Sequence, residues 1–339
     1  MGFTPWPWDA TVEAVDWTYA HLQTDGDLIS QHIEEGVPWQ EALDGTPFAS
    51  GFQSSLQDRR NRTAPGQKVV LQLNPLDMGR AALAPFRNNG INVPLTAPWS
   101  GYAFNHPDVK TAYVNYVRRV TDLLLPDFVQ TGVEVNILRR NSTPQVWAQY
   151  VELQCHTYQA LKAAGYTQPI GVSLVTQALY HPDIYATEYN EAQQIAALRD
   201  LEPCVDVIAW SVHPFISGLL ADTWPADYLT LISALTTKPQ AIPESSYPAQ
   251  VWSLNTVTWN GTPQKQTAFT TSMLDHAGAH GFLYVVWFAI RDYDQLWQRP
   301  PPLGLGQDSL SLIWRDTGLY DESGVPRAAH AVWMGWRNR

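Results

Sequence analysis

The sequence is short of the features that would assign a protein class at once. Lys and Arg number 21 against 32 Asp and Glu in 339 residues, a formal net charge of −11, and no basic run exceeds a pair. Nucleic acids and anionic membranes attract clustered positive charge, so neither is an expected partner. Apolar runs fall short of the roughly 20 residues that cross a bilayer. No basic start followed by an apolar stretch marks a leader, so the compartment stays open between the cytoplasm and export with the leader removed.

Cysteine and glycine patterns are equally sparse. The two cysteines, Cys155 and Cys204, have no CxxC spacing, and we interpret them as two buried thiols. No Gly-rich turn follows the first apolar segment, which argues against a dinucleotide-binding fold. The sequence has no internal repeat, no low-complexity tract and no linker that would separate domains. The sequence therefore predicts one domain over residues 1–339, with no cofactor and no metal.

What the sequence does contain is a regular alternation of apolar and helical segments. Eight apolar runs bounded by Gly, Pro and Asp are predicted strands. They are Gly2–Trp8, Leu28–Ile33, Lys68–Pro75, Phe128–Leu138, Pro169–Leu179, Asp206–Phe215, Pro239–Pro248 and Gly281–Ile290. Between them, Asp9 is the predicted cap of the first helix. Thr143 and Thr262, each followed by Pro, predict the starts of two later helices, and Gly165 predicts the end of one.

Eight strands that alternate with helices predict a single α/β domain of the (β/α)8 TIM-barrel type. Active sites in such barrels lie at the carboxyl ends of the strands and on the loops that follow. Three of those loops are long, and they run from Leu76 to His106, from Tyr247 to Gly261 and from Arg291 to Pro326. Loops beyond about 12–15 residues are usually functional or disordered. These carry many aromatic residues, so we expect them to be ordered around the site.

Two isolated glutamates lie near the ends of predicted strands four and seven. Glu134 interrupts the apolar run 128–138, and Glu244 follows a shorter apolar run. A buried carboxylate is costly unless it is paired or hydrogen-bonded, and two facing carboxyls drive their pKa values apart. One then holds a proton and the other is charged, which is what cleavage of a glycosidic bond needs. For either glutamate alone, a salt bridge to Arg139 or Arg291 is the alternative.

The segments around these glutamates resemble the large clan of (β/α)8 retaining glycoside hydrolases, which includes endo-galactanases, cellulases, mannanases and β-1,3-glucanases. Strand four reads TGVEVN, strand six IAWSVHPF, strand seven IPESSYP and strand eight FLYVVWFAIRD. The galactanase-type members look nearest, mainly through ESSYP and SVHPF. The resemblance implies that Glu134 is the acid/base, that Glu244 is the nucleophile and that Trp287 lies under the sugar at the cleavage point. It implies retaining hydrolysis of β-linked oligo- or polysaccharides.

Two positions depart from the pattern of the clan. Val133 stands where the clan usually has an Asn that binds the sugar 2-hydroxyl, and Asn136 or Asn74 is the candidate substitute. His213 stands where the clan often has a Tyr near the nucleophile, and we expect it to orient Glu244. Both carboxylates remain, but the changes keep a second interpretation open, a non-catalytic carbohydrate-binding barrel. A transglycosylase that uses the same two carboxylates is a third.

Tryptophan is abundant, with 15 residues, and flat indole faces suit sugar rings. Trp99, Trp252, Trp259 and Trp297 lie in the long loops, so several stacking platforms are expected around the site. Many platforms favour a glycan chain cut internally, whereas closure by the loops after strands three and eight would favour a chain end. The expected partner is a carbohydrate bound by a monomer. The predicted substrate-binding residues are Trp6, Trp8, His32, Asn74, Asn136, His213, Tyr247 and Trp287.

Two other constellations belong to different classes of site. His32 is followed by Glu34 and Glu35, a set that could ligate a metal, but we interpret His32 as a polar group that binds sugar. The serine pair 245–246 would form a Ser–His hydrolase site with His213 if the barrel brings them together. No G-x-S-x-G turn supports that alternative.

Overall fold

The computed structural model describes residues 1–180, 191–216, 226–254, 257–301, 303–309 and 311–339. Eight parallel strands form one sheet in which the first strand lies between the second and the last. The sheet closes into a barrel because Ile242 N donates to Tyr284 O at 2.9 Å and Phe288 N donates to Ser245 O at 2.8 Å. The predicted (β/α)8 fold is confirmed, and its restriction to a single domain stays a prediction. The barrel strands are β1 Gly2–Phe3, β2 Leu28–Ile33, β3 Lys68–Leu73, β4 Phe128–Gln130, β5 Ile170–Val175, β6 Val207–Val212, β7 Gln240–Ser245 and β10 Val286–Trp287.

Helices cover the outside of the barrel between the strands. They are α1 Val12–Asp25, α2 Trp39–Asp44, α3 Ser50–Arg62, α4 Pro107–Leu124, α5 Asn136–Asn141, α6 Pro144–Ala163, α7 Gln177–Tyr180, α8 Glu191–Leu201, α9 Tyr228–Ser233, α10 Pro263–Ala279, α11 Asp294–Gln298, α12 Leu312–Arg315 and α13 Ala328–Arg337. Helix α4 illustrates the packing, because Val109, Tyr113, Val117 and Val120 recur on one face and all are fully buried. Within the described residues, the helices are all too short or too polar to cross a membrane.

Helix starts follow the capping chemistry of the sequence at two of three predicted places. Thr143 and Thr262 each accept a bond from the N–H three residues later and begin α6 and α10. At α1 the cap is Thr11, whose Oγ accepts a bond of 3.1 Å in the same way, so the prediction of Asp9 is wrong. Asp9 instead pairs with Arg299. That ion pair joins the loop after β1 to the loop after β10.

The fourth strand is shorter than predicted, and its early end determines where Glu134 lies. The expected strand 128–138 stops at Gln130, and α5 begins within the remainder. Gly132 allows the chain to pass close to α6 at this point, since a Cβ added there would lie only 2.5 Å from the Tyr150 hydroxyl oxygen. Strands β1 and β10 are each two residues long, so parts of their predicted apolar runs form loops instead.

Cys155 and Cys204 form a disulfide bond, so the prediction of two buried thiols is wrong. Cys155 lies on α6, and Cys204 lies in the short turn that leads into β6, 49 residues further along the chain. The bond joins two segments that pack side by side only after the barrel has formed. Their spacing along the chain therefore does not reveal the pairing.

The loops after β3 and β10 are tied to the neighbouring loops at the mouth of the barrel. After β3, Arg87 N donates to Val37 O at 3.0 Å, and a short parallel bridge joins Val37 to Phe86. After β10, the loop contains α11 and α12, and Leu296 N donates to Trp8 O at 3.3 Å. These backbone bonds attach both loops to the segments that follow β1 and β2.

The loop after β7 is built differently. It folds into a hairpin of two antiparallel strands, β8 Val251–Leu254 and β9 Val257–Asn260. Trp252 and Trp259 face each other across the hairpin with ring centroids 3.9 Å apart. Both rings are therefore used to stabilise the hairpin itself.

Candidate active site

Glu134 lies just beyond β4 in a backbone conformation that few residues adopt. Its φ is +54°, in the left-handed region that costs a non-glycine residue about 1–3 kcal/mol. Glu134 N donates to Ser173 Oγ at 2.8 Å, and the Asn74 amide brackets the backbone of Val133 through two bonds of 3.4 Å. Strain that is held in place by such bonds is typical of functional sites.

Glu244 lies near the end of β7, and one serine joins it to Glu134. Ser211 on β6 is the register partner of Glu244, just past an irregularity in the pairing of the two strands. Its Oγ lies 2.8 Å from Glu134 Oε1 and 3.3 Å from Glu244 Oε2. The two carboxyl groups have oxygen atoms within 4.8 Å of one another. The Ser211 hydroxyl has one proton, and its shorter bond is the one it donates to Glu134 Oε1.

The surroundings of Glu134 favour its protonated form. Burial raises the pKa of Glu134, the Arg80 guanidinium 3.4 Å away lowers it, and the charge of Glu244 raises it again. The Ser211 hydrogen bond lowers it slightly and the charge of Glu34 raises it, which leaves a pKa of about 7. A carboxyl with this pKa still holds its proton near neutral pH and can give it up, as a general acid must.

Glu244 has a different neighbour, the imidazole of His32 on β2. His32 Nδ1 lies 2.8 Å from Glu244 Oε1, and His32 Nε2 lies 3.0 Å from Glu34 Oε2. These are ion-pair distances, although the N–H directions are not aligned as hydrogen bonds. Burial would lower the pKa of His32, but the two carboxylates raise it to about 10. The ring is therefore an imidazolium at neutral pH, and Glu244 faces a positive charge.

Glu34 and Arg80 join Glu134, Glu244 and His32 in one cluster of charged side chains, which forms the floor of the site. Arg80 Nη2 lies 2.9 Å from Glu34 Oε1 and 3.4 Å from Glu134 Oε2. Burial would raise the pKa of Glu34, but Arg80 and His32, with a hydrogen bond from Asn74, lower it to about 2. Arg80 was not predicted as a site residue, because it lies in a loop where no sequence pattern marks its position. Glu34 was predicted only as a possible metal ligand.

His213 lies beside the two carboxylates but makes its hydrogen bond elsewhere. One ring nitrogen lies within 4.8 Å of an oxygen of Glu134 and of Glu244, while His213 Nδ1 lies 2.7 Å from Ser246 Oγ. Burial lowers the pKa of His213 to about 4, against the opposing charge of Glu244, so the ring is neutral at neutral pH. The direct contacts to Glu244 come instead from His32 and Ser211. Ser246 is fully buried, which leaves a Ser–His hydrolase without an accessible nucleophile.

A cavity of about 470 Å³ opens above this floor, within the range of ordinary ligand sites. Five of the predicted site residues line it, and they are Trp6, His32, Glu134, His213 and Glu244. One wall of the cavity is aromatic, because Phe288 packs against Trp6 and Trp314 with ring centroids 6.0 and 5.0 Å away. The loops after β3 and β10 supply most of the remaining lining, including Arg80 and Tyr293.

The two asparagines proposed to replace the usual sugar-binding Asn are committed to the framework. Asn136 is fully buried, donates to Val175 O at 3.1 Å and to Gln194 Oε1 at 2.9 Å, and accepts from Val175 N. Asn74 brackets the backbone of Val133, as described above. Neither belongs to the lining of the cavity. Their amides have no donor left over for a sugar hydroxyl among the described contacts.

Three predicted aromatic residues also lie away from the cavity. Trp287 is fully buried and donates its indole N–H to Thr317 O at 2.9 Å, and Tyr247 packs in the core. Trp8 packs against the guanidinium of Arg291, whose Cζ lies 3.9 Å from the ring. The strand-eight residue that does reach the cavity is Phe288, next to Trp287. A shift of one residue turns a side chain to the opposite face of a strand, and the pattern of the sequence alone did not determine which face is which.

Two clusters have a spacing that could hold a metal ion, within the part of the chain that the structure describes. One is the Glu134, His213 and Glu244 set, in which the ionisable groups already pair with protein cations or hydroxyls. The other consists of Asp292, Asp294 and Asp316. There Asp292 pairs with Arg327 and Asp316 with Arg315, so existing cations account for the buried charge. The expected absence of a metal stays a prediction.

No family model and no curated protein matches this chain in sequence. Solved structures do match in shape. A variant of GH5_18 from Streptomyces cattleya, in complex with Manb1-4GlcNAc, has a TM-score of 0.67 at 14% identity and covers 100% of this chain and 79% of its own. The shared fold is the (β/α)8 barrel. Fungal β-1,4-galactanases have a TM-score of 0.57 at 14% identity, covering 95% and 91% of the two chains. The exo-β-1,4-mannosidase Op5Man5 from Opitutaceae bacterium strain TAV5 has a TM-score of 0.60 at 15% identity. The match covers 99% of this chain and 58% of the mannosidase chain.

These neighbours confirm the resemblance in fold that the four strand motifs predicted. Their identities of 14–15% establish the shared architecture and do not by themselves assign a substrate. The chemistry must therefore be argued from the side chains of this site.

Proposed function

We propose that the protein is a retaining glycoside hydrolase that cleaves β-linked glycans with Glu134 as acid/base and Glu244 as nucleophile. The observation that carries the proposal is the close pair, with carboxyl oxygens within 4.8 Å of one another in environments of different charge. Retaining enzymes keep the two carboxyls about 5–5.5 Å apart, whereas inverting enzymes need about 6.5–9.5 Å to admit a water. The short separation supports double displacement.

Each step follows from the contacts of the two residues. An oxygen of Glu244 attacks the anomeric carbon, and the glycosidic bond breaks as Glu134 gives its proton to the leaving oxygen. The new Glu134 carboxylate is stabilised by the Arg80 guanidinium beside it. Glu134 then takes a proton from a water whose oxygen attacks the same carbon, and the ester bond to Glu244 breaks. Both carboxyl groups return to their starting states.

The aromatic wall supports a carbohydrate as the substrate. Phe288 and Trp314 are partly exposed to the cavity, and Trp6 is 39% exposed. Sugar rings present a face of C–H bonds, which packs well against such rings. The charged groups His32, Glu34 and Arg80 line the same cavity, where they can meet the sugar hydroxyls.

Internal cleavage of a polysaccharide stays a prediction, and the tryptophans offer it less support than the sequence suggested. Trp99 and Trp252 are buried, Trp259 stacks on Trp252, and Trp287 lies in the core. Trp297 donates its indole N–H to a carbonyl of its own loop at 3.0 Å. These rings therefore do not form a row of platforms around the cavity.

The walls of the cavity favour a second mode, cleavage at a chain end. Asn92 and Leu296 line the cavity, and their backbone N–H groups bond the loops after β2 and β1, to Glu35 O at 2.9 Å and Trp8 O at 3.3 Å. Walls fixed in this way would stop a glycan from continuing past strands one to three. Labelled oligosaccharides distinguish the two modes: one small product from the start indicates a chain end, and early mixtures of lengths indicate internal cleavage.

Turnover of a panel of β-linked glycans and aryl β-glycosides tests the proposal, with Glu244→Gln as the matched inactive control. We expect hydrolysis by the wild type and none by the variant. Glycan binding without any hydrolysis would contradict the proposal and indicate a carbohydrate-binding barrel. Transfer to an added acceptor in preference to water would indicate a transglycosylase, which uses the same two carboxylates.

A further inference from the structure

A third carboxylate, Glu34, lines the same cavity as the proposed catalytic pair and contacts both His32 and Arg80. Its side chain is only 12% exposed. Glu34 Oε2 lies 3.0 Å from His32 Nε2, and Glu34 Oε1 lies 2.9 Å from Arg80 Nη2. Asn74 donates a further hydrogen bond to Oε1. Glu34 is thus fixed from three sides and does not depend on substrate for its position.

The two cations, His32 and Arg80, each contact a different one of the two catalytic carboxyl groups. His32 reaches Glu244 with its other ring nitrogen at 2.8 Å, and Arg80 reaches Glu134 at 3.4 Å. Arg80 Nη2 therefore lies closer to Glu34 than to Glu134, at 2.9 Å against 3.4 Å. The series of contacts runs Glu244, His32, Glu34, Arg80, Glu134, and the charges alternate in sign from Glu244 to Arg80.

We propose that Glu34 is a positioning residue that keeps the two catalytic carboxyls in opposite protonation states by dividing the two cations between them. It holds His32 as an imidazolium against Glu244, and it draws Arg80 away from Glu134. The inference rests on the proposed function for its catalytic consequence, although the contacts themselves do not. Without Glu34, Arg80 would be free to pair fully with Glu134, and the acid would lose its proton too readily.

The groups that face Glu134 come from four elements, and they give the direction of the effect. Arg80 and the Ser211 hydroxyl favour its ionised form, whereas burial and the charges of Glu244 and Glu34 favour its protonated form. His213, also within 4.8 Å, is neutral near pH 7 because burial lowers its pKa to about 4. Removal of the Glu34 charge should therefore lower the pKa of Glu134 in two ways. The repulsion between Glu34 and an ionised Glu134 is lost, and Arg80 is free to pair more closely with Glu134.

The test is the pH profile of kcat/KM for Glu34→Gln, because its basic limb reports the acid in the free enzyme. We expect that limb to move to lower pH by about one unit, as expected when a nearby charge is removed. Glu34→Asp keeps the charge, so its limb should stay close to that of the wild type. An unmoved limb in Glu34→Gln would overturn the proposal.

Glu35→Gln is the matched control, because Glu35 is adjacent and lines the same cavity. Glu35 pairs with Arg87 at 3.0 Å and with Arg59 at 3.6 Å, away from the catalytic pair. The control should leave the basic limb where it is, and an equal shift in both variants would contradict a specific role for Glu34.

A second readout separates this inference from the proposed function. NMR of protein labelled with ¹³C at the glutamate carboxyls follows the titration of Glu134 directly, with Glu134→Gln used for its assignment. A lower pKa of Glu134 in Glu34→Gln supports the inference even if no glycoside is hydrolysed, in which case only the proposed function fails. An unchanged titration in a folded variant overturns the inference even if hydrolysis is confirmed.

Discussion

Ser211 Oγ lies 2.8 Å from Oε1 of Glu134, at a position where β6 carries a hydroxyl into the space between two acids. A hydroxyl that donates to a carboxylate stabilises the ionised form, so Ser211 lowers the pKa of Glu134 while burial raises it. The pKa of Glu134 is therefore set by groups that act in opposite directions, and single substitutions should raise or lower it according to the group removed.

Ser211→Ala should move the basic limb of the pH profile to higher pH, opposite to the shift expected for Glu34→Gln. A hydrogen bond to a charged group is worth about 1.5–3 kcal/mol, and one pKa unit corresponds to about 1.4 kcal/mol, so the shift should be about one to two units. Ser245→Ala is the control, since Ser245 Oγ donates to Val286 O on the next strand. A shift to lower pH in Ser211→Ala would contradict this account of the acid.

Glu134→Gln should affect substrates according to their leaving groups. Sugars leave poorly without a proton, so their turnover should fall by about 10²–10⁴-fold, whereas activated aryl glycosides should lose far less. The basic limb of the profile should disappear, because the group that titrates with a pKa of about 7 is gone. Steady-state kinetics on both substrate types make the comparison, and equal losses on the two would speak against the acid/base role.

His213 should make the folded protein sensitive to acid. Burial lowers its pKa from 6.5 to about 4 in the folded state, so the unfolded chain binds the extra proton first. The stability contributed by the neutral ring is present above pH 6.5 and is lost as the pH falls from 6.5 towards 4. The loss should be on the order of 3 kcal/mol.

Urea unfolding at pH 7 and at pH 4.5 measures that contribution. His213→Gln cannot gain the proton, so its stability should fall less over this interval than that of the wild type. Equal falls would mean that His213 does not titrate as its burial requires.

Trp6 and Trp287 should separate binding from packing, although both were predicted to bind sugar. Trp287→Ala removes a fully buried indole and should cost about 3–5 kcal/mol of unfolding free energy. Trp6→Ala removes a partly exposed ring from the cavity wall and should raise KM with a stability change of about 0.5 kcal/mol or less. Thermal unfolding and kinetics of the two variants test this contrast, and a binding defect at Trp287 with unchanged stability would reverse the two roles.

The features that could be predicted from the sequence are those carried by local pattern. The bounds of β2 match the prediction, Leu28–Ile33, where the apolar residues Leu28, Ile29 and Ile33 follow the strand breakers Gly26 and Asp27. Glu134 and Glu244 were identifiable because each is a lone acid in an apolar segment. Their closeness follows from the barrel order, since strands four and seven end on the same face.

The features that the sequence did not predict depend on contacts between distant segments. The pairing of Cys155 with Cys204 and the contact of Arg80 with Glu34 both join parts of the chain that meet only in the folded barrel. Phe288 lines the cavity in place of the predicted Trp287, because neighbouring residues of a strand point to opposite faces and the pattern of the sequence does not show which face is inside.

The anomeric configuration of the first product tests the central claim most directly. Proton NMR recorded during the early turnover of a β-glycoside distinguishes the two anomers before they equilibrate in water. Double displacement by Glu244 and Glu134 predicts that the β-anomer appears first. Initial release of the α-anomer would mean that water attacks the sugar directly, and the assignment of Glu244 as nucleophile would then be wrong.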